Sequence, residues 1–350
     1  PVVHICQPTD RISDNLDNLE VGMRTPEFDT ICEPMSDELI RTALPKRSVA
    51  LASVGEEFNT VSRICRQLDI PSVYITENSL KTRNQMASET QRGPVHGAWR
   101  RLREVRQEIR QRKAISIAAG VQCNGLPTFT AYNRININAH LFFDNRIDAS
   151  MVATDEKVQR RSLREQKGKK LRLAFSGRLT PIKGVDDLLT VAEHLRSLVS
   201  GPFELSICGD GEYGQQLRRD IQNKNLGEFV KMRGVLDFKS ELVPFVTDET
   251  DIFICCHRQG DPSCTYLETM ACGVPIVGYA NEAWSLLSAH SGTGWVTPLG
   301  NPWAMAEKIA GLERLPETIQ HEAAKSLRFA ENHIFEKTFR GRIEHLKSLV

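Results

Sequence analysis

Glu268 is the one charged residue inside a short helix predicted within Gly260-Asp261-Pro262-Ser263-Cys264-Thr265-Tyr266-Leu267-Glu268-Thr269-Met270-Ala271-Cys272-Gly273-Val274-Pro275-Ile276-Val277-Gly278. The stretch reads as loop, helix, glycine stop and strand. Ser263 suits the helix N-cap, Gly273 the left-handed position after the last turn, and Pro275 blocks continuation. The free amides of a first helical turn take phosphate oxygens, while a nearby carboxylate takes sugar hydroxyls. Together they suit a nucleotide-sugar.

Two cations five residues apart, Arg178 and Lys183, stand in Ala174-Phe175-Ser176-Gly177-Arg178-Leu179-Thr180-Pro181-Ile182-Lys183-Gly184. Arginine grips phosphate oxygens bidentately and lysine adds a point charge; two solvated loop cations would give the same pattern. Gly209-Asp210-Gly211 follows an apolar run and permits a tight strand-to-helix turn. Met232-Arg233-Gly234 closes another short run, where glycine allows a ring to approach the backbone or simply makes a turn.

Alternating short apolar runs and helical patterns must hold these residues, which argues for parallel α/β layers. The first half predicts strands at Val2–Cys6, Phe28–Cys32, Ser48–Ala52, Ser72–Thr76, Ala114–Ala118 and His140–Phe143, with a crossover helix over Val61–Leu68. The second half predicts Leu171–Ser176, Phe203–Cys208, Val230–Met232, Ile252–Cys256, Ile276–Tyr279 and Gly294–Thr297, with a helix over Asp186–Val199. Polar, basic Glu156–Lys170 reads as a hinge between the halves. Ligands of doubly wound sheets bind at the carboxyl ends of strands, so a cleft between two such domains is expected to hold the site.

Length, composition and charge set the limits. The chain has 350 residues, enough for two cores, with 25% charged and 40% hydrophobic residues. A net charge of +1 and basic stretches without interleaved aromatics argue against a nucleic-acid binder. No apolar run has membrane-spanning length, and the first residues lack a signal-peptide pattern. Nine scattered cysteines without C-x-x-C spacing suggest buried, reduced thiols of a cytoplasmic protein.

Gly-Arg-Leu-x-x-x-Lys-Gly, Gly-Asp-Gly, a glycine after the next strand, and Leu-Glu-x-Met-Ala-Cys-Gly-x-Pro-Ile-Val occur in that order between about Leu171 and Glu313. In order and register they resemble the donor-binding domain of retaining GT-B glycosyltransferases of family 4, the group 1 glycosyltransferases. The resemblance implies two Rossmann-like doubly wound domains facing across a cleft. It assigns Arg178 and Lys183 to the donor diphosphate and Glu268 to the ribose. Thr265 and Tyr266, beside Cys264, would offer backbone amides to phosphate. Gly177, Gly209 and Asp210 would line the donor, and the backbone at Arg233 and Gly234 would frame the base. It implies a metal-free site and no cofactor beyond a UDP- or GDP-sugar substrate.

The pattern departs from the family where an acid is expected eight residues before Glu268. Gly260 stands there, and Asp261 follows as the candidate for contact with the transferred sugar. Glu77, at the end of Ser72-Val73-Tyr74-Ile75-Thr76, is a candidate for acceptor or sugar contact, or a turn cap. Gln122-Cys123-Asn124-Gly125 should face the cleft. Asp144-Asn145-Arg146-Ile147-Asp148 resembles the family's Asn-Gly-Val-Asp turn, with Arg146 in place of glycine. Trp99–Lys113 is a cationic amphipathic helix. Its Trp99, Leu102, Val105 and Ile109 side suits either an anionic membrane or packing inside the protein.

The expected organisation is an acceptor-side domain over 1–168, a donor domain over 169–330, and a terminal helix over 331–350 that either ends the second domain or packs back on the first. The expected activity is transfer of a sugar from a nucleotide diphospho-sugar to an acceptor hydroxyl with retention, in polysaccharide or glycoconjugate assembly. A sugar, a lipid-linked glycan or a small molecule fits as acceptor, at the inner face of the membrane if the basic helix docks there. A nucleotide-sugar epimerase on the same fold and a non-catalytic nucleotide-sugar-binding protein are the alternatives.

Overall fold

The computed structural model describes residues 3–6, 29–32, 35–44, 49–89, 94–165 and 170–350. Val3–Cys6 (β1) pairs in parallel with Asp29–Cys32 (β2), and Asp37–Ala43 forms α1. Then come Ala50–Ser53 (β3), Val61–Gln67 (α2), Ser72–Thr76 (β4), Leu80–Glu89 (α3), Pro94–Ile117 (α4), Gly120–Asn124 (β5), Gly125–Tyr132 (α5) and Ala139–Phe142 (β6). The sheet order is β3-β4-β5-β6, all parallel.

The second half begins at Asp155–Glu165 (α6) and Leu171–Ser176 (β7). It continues through Val185–Leu198 (α7), Phe203–Cys208 (β8), Gly214–Asn223 (α8), Val230–Gly234 (β9), Val243–Glu249 (α9), Ile252–Cys255 (β10), Cys264–Ala271 (α10), Ile276–Tyr279 (β11), Glu282–Ser291 (α11) and Trp295–Thr297 (β12). Pro302–Glu313 (α12), Pro316–Glu331 (α13) and Phe335–Lys347 (α14) complete the chain. Six parallel strands run β12-β11-β10-β7-β8-β9. Strand alternation splits this sheet's side chains between two cores. Leu173, Phe175, Ile252 and Ile254 enter one, against Leu188 and Leu195 of α7. Ala174, Phe253 and Cys255 enter the other, against Tyr266 and Met270 of α10 and Trp284 of α11.

One expectation is corrected. Ala114–Ala118 is not a strand: α4 runs through Ile117, and β5 starts at Gly120. Ala114, Ile115 and Ala118 are the buried members, a helical spacing that a short apolar run hides. Of the segment expected as a hinge, residues 156–165 lie in α6 and residues 166–169 lie outside the described residues. Within α6 Val158 is buried, and the buried guanidinium of Arg161 donates to the carbonyls of Thr247, Cys272 and Gly273. It thereby satisfies carbonyls left open at the ends of α9 and α10.

After α13, α14 crosses to the four-stranded sheet. Arg342 Nε donates to Gln122 Oε1 at 2.9 Å, Gln122 Nε2 returns a bond to the Arg342 carbonyl at 2.9 Å, and the guanidinium lies over Phe142. At the crossing, Asn145 Nδ2 donates to the His333 carbonyl at 2.7 Å, and the His333 ring packs on Phe143 and Phe329. Among the described residues no helix is long and apolar enough to cross a membrane.

Burial, then the nearby His290 and Lys337, lowers the His333 pKa from 6.5 to about 4. The unfolded chain therefore binds this proton through a window in which the native protein does not. The stability that His333 contributes is complete above about 6.5 and is lost as pH falls toward 4. Melting temperature is expected to drop as pH falls from about 7 to below about 4, the full loss being roughly 3 kcal/mol, and His333→Asn should flatten the drop.

Candidate functional site

The carboxyl ends of β7, β8 and β9 meet the start of α10 around a cleft of about 210 Å³. Ser176, Gly177 and Arg178 follow β7, Cys208 and Gly209 follow β8, and Val235, Leu236, Phe238 and Leu242 follow β9. Thr265 and Glu268 come from α10, and Arg146 reaches in from the loop after β6. The rims are locked to one another. Gly177 N–H donates to the Cys208 carbonyl at 3.1 Å, and Gly209 N–H donates to the Gly234 carbonyl at 2.6 Å. Gly209 has φ +130, and a Cβ there would meet the Gly177 carbonyl oxygen at 2.0 Å, so only glycine permits this approach.

The structure brings Arg178, Glu268, Thr265, Gly177 and Gly209 together on this cleft. Arg178 is exposed at its mouth. Glu268 is buried, and both its oxygens accept from Arg146, Oε1 from Nε at 2.8 Å and Oε2 from Nη2 at 3.2 Å. The same guanidinium lies 3.9 Å over the Phe238 ring. The sequence showed Arg146 only as a replaced glycine; its pairing with a helix 122 residues away carries no local signal. The apolar wall of Val235, Leu236 and Phe238 was also unread, although it follows directly on Gly234.

Other candidates sit differently. Ser263 occupies the N-cap position of α10, but its hydroxyl makes no cap hydrogen bond. Its carbonyl instead accepts the Tyr266 N–H at 3.2 Å, so that amide is not free for phosphate. The Tyr266 ring is fully buried, its hydroxyl accepting from Asn281 Nδ2 at 3.1 Å. Burial, with Glu268 and Asp144 nearby, pushes the Cys264 thiol up to about 12, which keeps it protonated at neutral pH. Asp210 turns its Oδ1 back to the Gly211 N–H at 2.9 Å. Arg233 spends its side chain on Ser206 and Glu204 and over Phe245, while Gly234 takes a left-handed φ of +73.

Lys183 and Asp261 meet each other. Lys183 is buried, with Nζ 2.9 Å from Asp261 Oδ2. Beside them His257 is fully buried, and among the described residues neither its ring nitrogens nor the buried Asp261 Oδ1 has a hydrogen-bond partner. Burial, then Lys183, drives the His257 pKa well below its ordinary value, so the ring is neutral. Among the described residues Lys183 is the cation paired with Asp261, and removing the ammonium takes that partner away. Lys183→Ala is therefore expected to cost about 3 kcal/mol of stability, read as an earlier urea midpoint.

Gly260 is gripped by the first domain. Thr82 Oγ1 donates to its carbonyl at 3.0 Å, its N–H donates to Gln85 Oε1 at 3.1 Å, and Ser79 Oγ reaches Glu282 at 2.6 Å. A Cβ at Gly260 would lie 2.7 Å from Glu282 Cβ and 3.1 Å from Thr82 Oγ1, so this packing has no room for an acid there. Glu77 is exposed and lines a second cleft of about 380 Å³ with Arg83, Arg103, Glu104, Gln107 and Gln111, below the ends of β3 and β4. Asn124 and Gly125 reach the domain seam, facing Pro262 and Ser263.

Residues 155–328 match the family model described as glycosyl transferases group 1, which supports the family resembled by the motifs. Over 92% of this chain the structure resembles Anabaena Alr3699/HepE, solved in complex with UDP, at 15% identity, 87% of that chain and a TM-score of 0.66. The fold is GT-B. Sucrose-phosphate synthase from Thermosynechococcus elongatus shares the GT-B architecture over 93% of this chain and 84% of its own, at 15% identity and a TM-score of 0.63. By sequence, the amylovoran biosynthesis glycosyltransferase AmsK of Erwinia amylovora is 29% identical over 176 residues, 48% of this chain and 42% of that protein. The putative colanic acid biosynthesis glycosyltransferase WcaL of Salmonella typhimurium is 26% identical over 167 residues, 46% of this chain and 39% of its own. The matched stretches thus span about two fifths of these curated relatives.

Proposed function

We propose that this protein is a retaining, metal-independent glycosyltransferase of family 4. It moves a sugar from a UDP- or GDP-sugar to an acceptor hydroxyl in the assembly of a polysaccharide or glycoconjugate, in the cytoplasm. The observation that carries this reading is one GT-B cleft with a cation, an acid and an apolar wall at the ends of three strands. The biosynthetic roles in the names of AmsK and WcaL, and the UDP bound by the Anabaena neighbour, support it.

In this reading Val235, Leu236 and Phe238 take the base, Glu268 accepts the ribose hydroxyls, and Arg178 meets the diphosphate. As the bond to the sugar breaks, charge builds on the leaving phosphate, where Arg178 and the start of α10 supply a preorganised positive field. The acceptor hydroxyl attacks from the face the diphosphate leaves, forming the new C–O bond as the bond to the diphosphate breaks, and its proton passes to the departing phosphate oxygen. The Glu77 cleft receives the acceptor, within a first domain of 1–168 opposite a donor domain of 169–330. The segment 331–350 belongs with the first domain, consistent with the contacts of α14. Asp261, tied to Lys183, holds the loop beside the sugar.

The contacts at Gly260 favour a second reading, a nucleotide-sugar-binding protein without transfer. A thermal-shift screen of UDP-, GDP- and ADP-sugars, followed by product analysis, decides. A donor at one hundred times its Kd should stabilise by about 2.7 kcal/mol. Silence across all donors would refute both readings. Tight binding without turnover would select the second, and donor conversion without acceptor an epimerase.

A further inference from the structure

Helix α4 turns its apolar stripe outward. Trp99 is 67% exposed, Ile109 63%, Leu102 43% and Val105 41%. At 100° per residue these four fall within about 120° of one another on the helix. The face that packs inward is instead Glu108, Gln111, Ala114 and Ile115, with Glu108 bound to Arg83 and Arg112. The expectation that the stripe packs inside the protein is thus overturned.

Cations share the outward face. Arg106 and Lys113 fall within the same arc by helical angle, and both are exposed. Arg103 and Arg110 flank it on one side, each also reaching Glu56, while Arg101 flanks the other. Between Trp99 and Lys113 there are seven cations and two acids. A second copy of this chain would bring the same charges against themselves across a two-fold contact. An anionic lipid surface accepts both features: the aromatic and aliphatic side chains enter at headgroup depth, and the long cationic stems reach phosphate.

We propose that α4 docks this protein on an anionic membrane surface, lying in the plane of the interface. The same helix supplies Arg103, Glu104, Gln107 and Gln111 to the wall of the Glu77 cleft. Docking would therefore hold that cleft beside the headgroups, where a lipid-carried acceptor can enter.

The test is co-sedimentation of the full chain with vesicles of phosphatidylcholine alone or mixed with phosphatidylglycerol. Binding is expected only to the mixed vesicles and should weaken as salt rises. Arg106→Gln and Lys113→Gln should each weaken it about fivefold. Trp99→Ser with Ile109→Ser should weaken it at least tenfold while the salt dependence stays. All four side chains are exposed, so unchanged melting temperatures confirm intact folds. No binding to mixed vesicles at low salt overturns the proposal and leaves the face to an acidic protein partner. Wild-type binding by all variants overturns it equally. Neither result depends on whether the protein uses a nucleotide-sugar.

Discussion

Arg178→Ala is expected to lower sugar transfer by about 10²–10³-fold, with thermal stability unchanged to within about 0.5 kcal/mol. The two halves of that expectation have separate grounds. Arg178 is exposed at the mouth of the cleft, so truncation opens no core. Its worth lies in a field aimed at charge that forms only as the diphosphate departs, so the loss should fall on kcat more than on donor KM. Arg178→Lys keeps the charge but not the planar fork, and should recover only part of the rate. Steady-state kinetics with a saturating donor would check this, and a kcat within threefold of wild type in the Ala variant would contradict the role. The partner cation read from the sequence behaves differently. Lys183 sits buried on Asp261, so its loss should appear first as instability, and kcat alone would mislead.

The six-stranded domain was legible because its strands are covered on both faces, and such strands read as near-continuous apolar runs. Leu171–Ser176, Phe203–Cys208 and Ile276–Tyr279 fall where the runs placed them. The first domain was less so. Around residue 114 a buried helical turn and a buried strand look alike over five residues, and the neighbouring Gly120–Asn124 strand went unread between them. In the site, Gly177, Arg178 and Gly209 were found because turn glycines mark the ends of β7 and β8, while the apolar residues after Gly234 carry no polar group to single them out. The partners that such residues take from distant parts of the sequence were not found. Asp261 seeks Lys183, Gly260 is enclosed by Thr82 and Gln85, and Arg146 seeks Glu268. Spacing within one element cannot report a contact with another element, whether inside one domain, as for Lys183 and Asp261, or across the seam, as for the other two.

That last pair yields the other large effect. If Glu268 receives the ribose, Glu268→Ala removes two hydrogen bonds to a charged acceptor, each worth about 1.5–3 kcal/mol, and donor affinity should fall at least about 100-fold. Arg146 now holds both oxygens of that carboxylate. A carboxylate has about four acceptor directions, so the guanidinium can orient the group and still leave directions open for two hydroxyls. Phe238 under the guanidinium helps fix that orientation. Arg146→Ala should therefore weaken the donor by about tenfold, through a Glu268 that is present but unheld. The double variant should bind no more weakly than Glu268→Ala alone, because Arg146 acts through the acid it positions. Titration calorimetry with the donor would measure all three. Additive losses would instead place Arg146 directly on the donor, and a tighter-binding Arg146→Ala would make it a side chain that the ribose must displace.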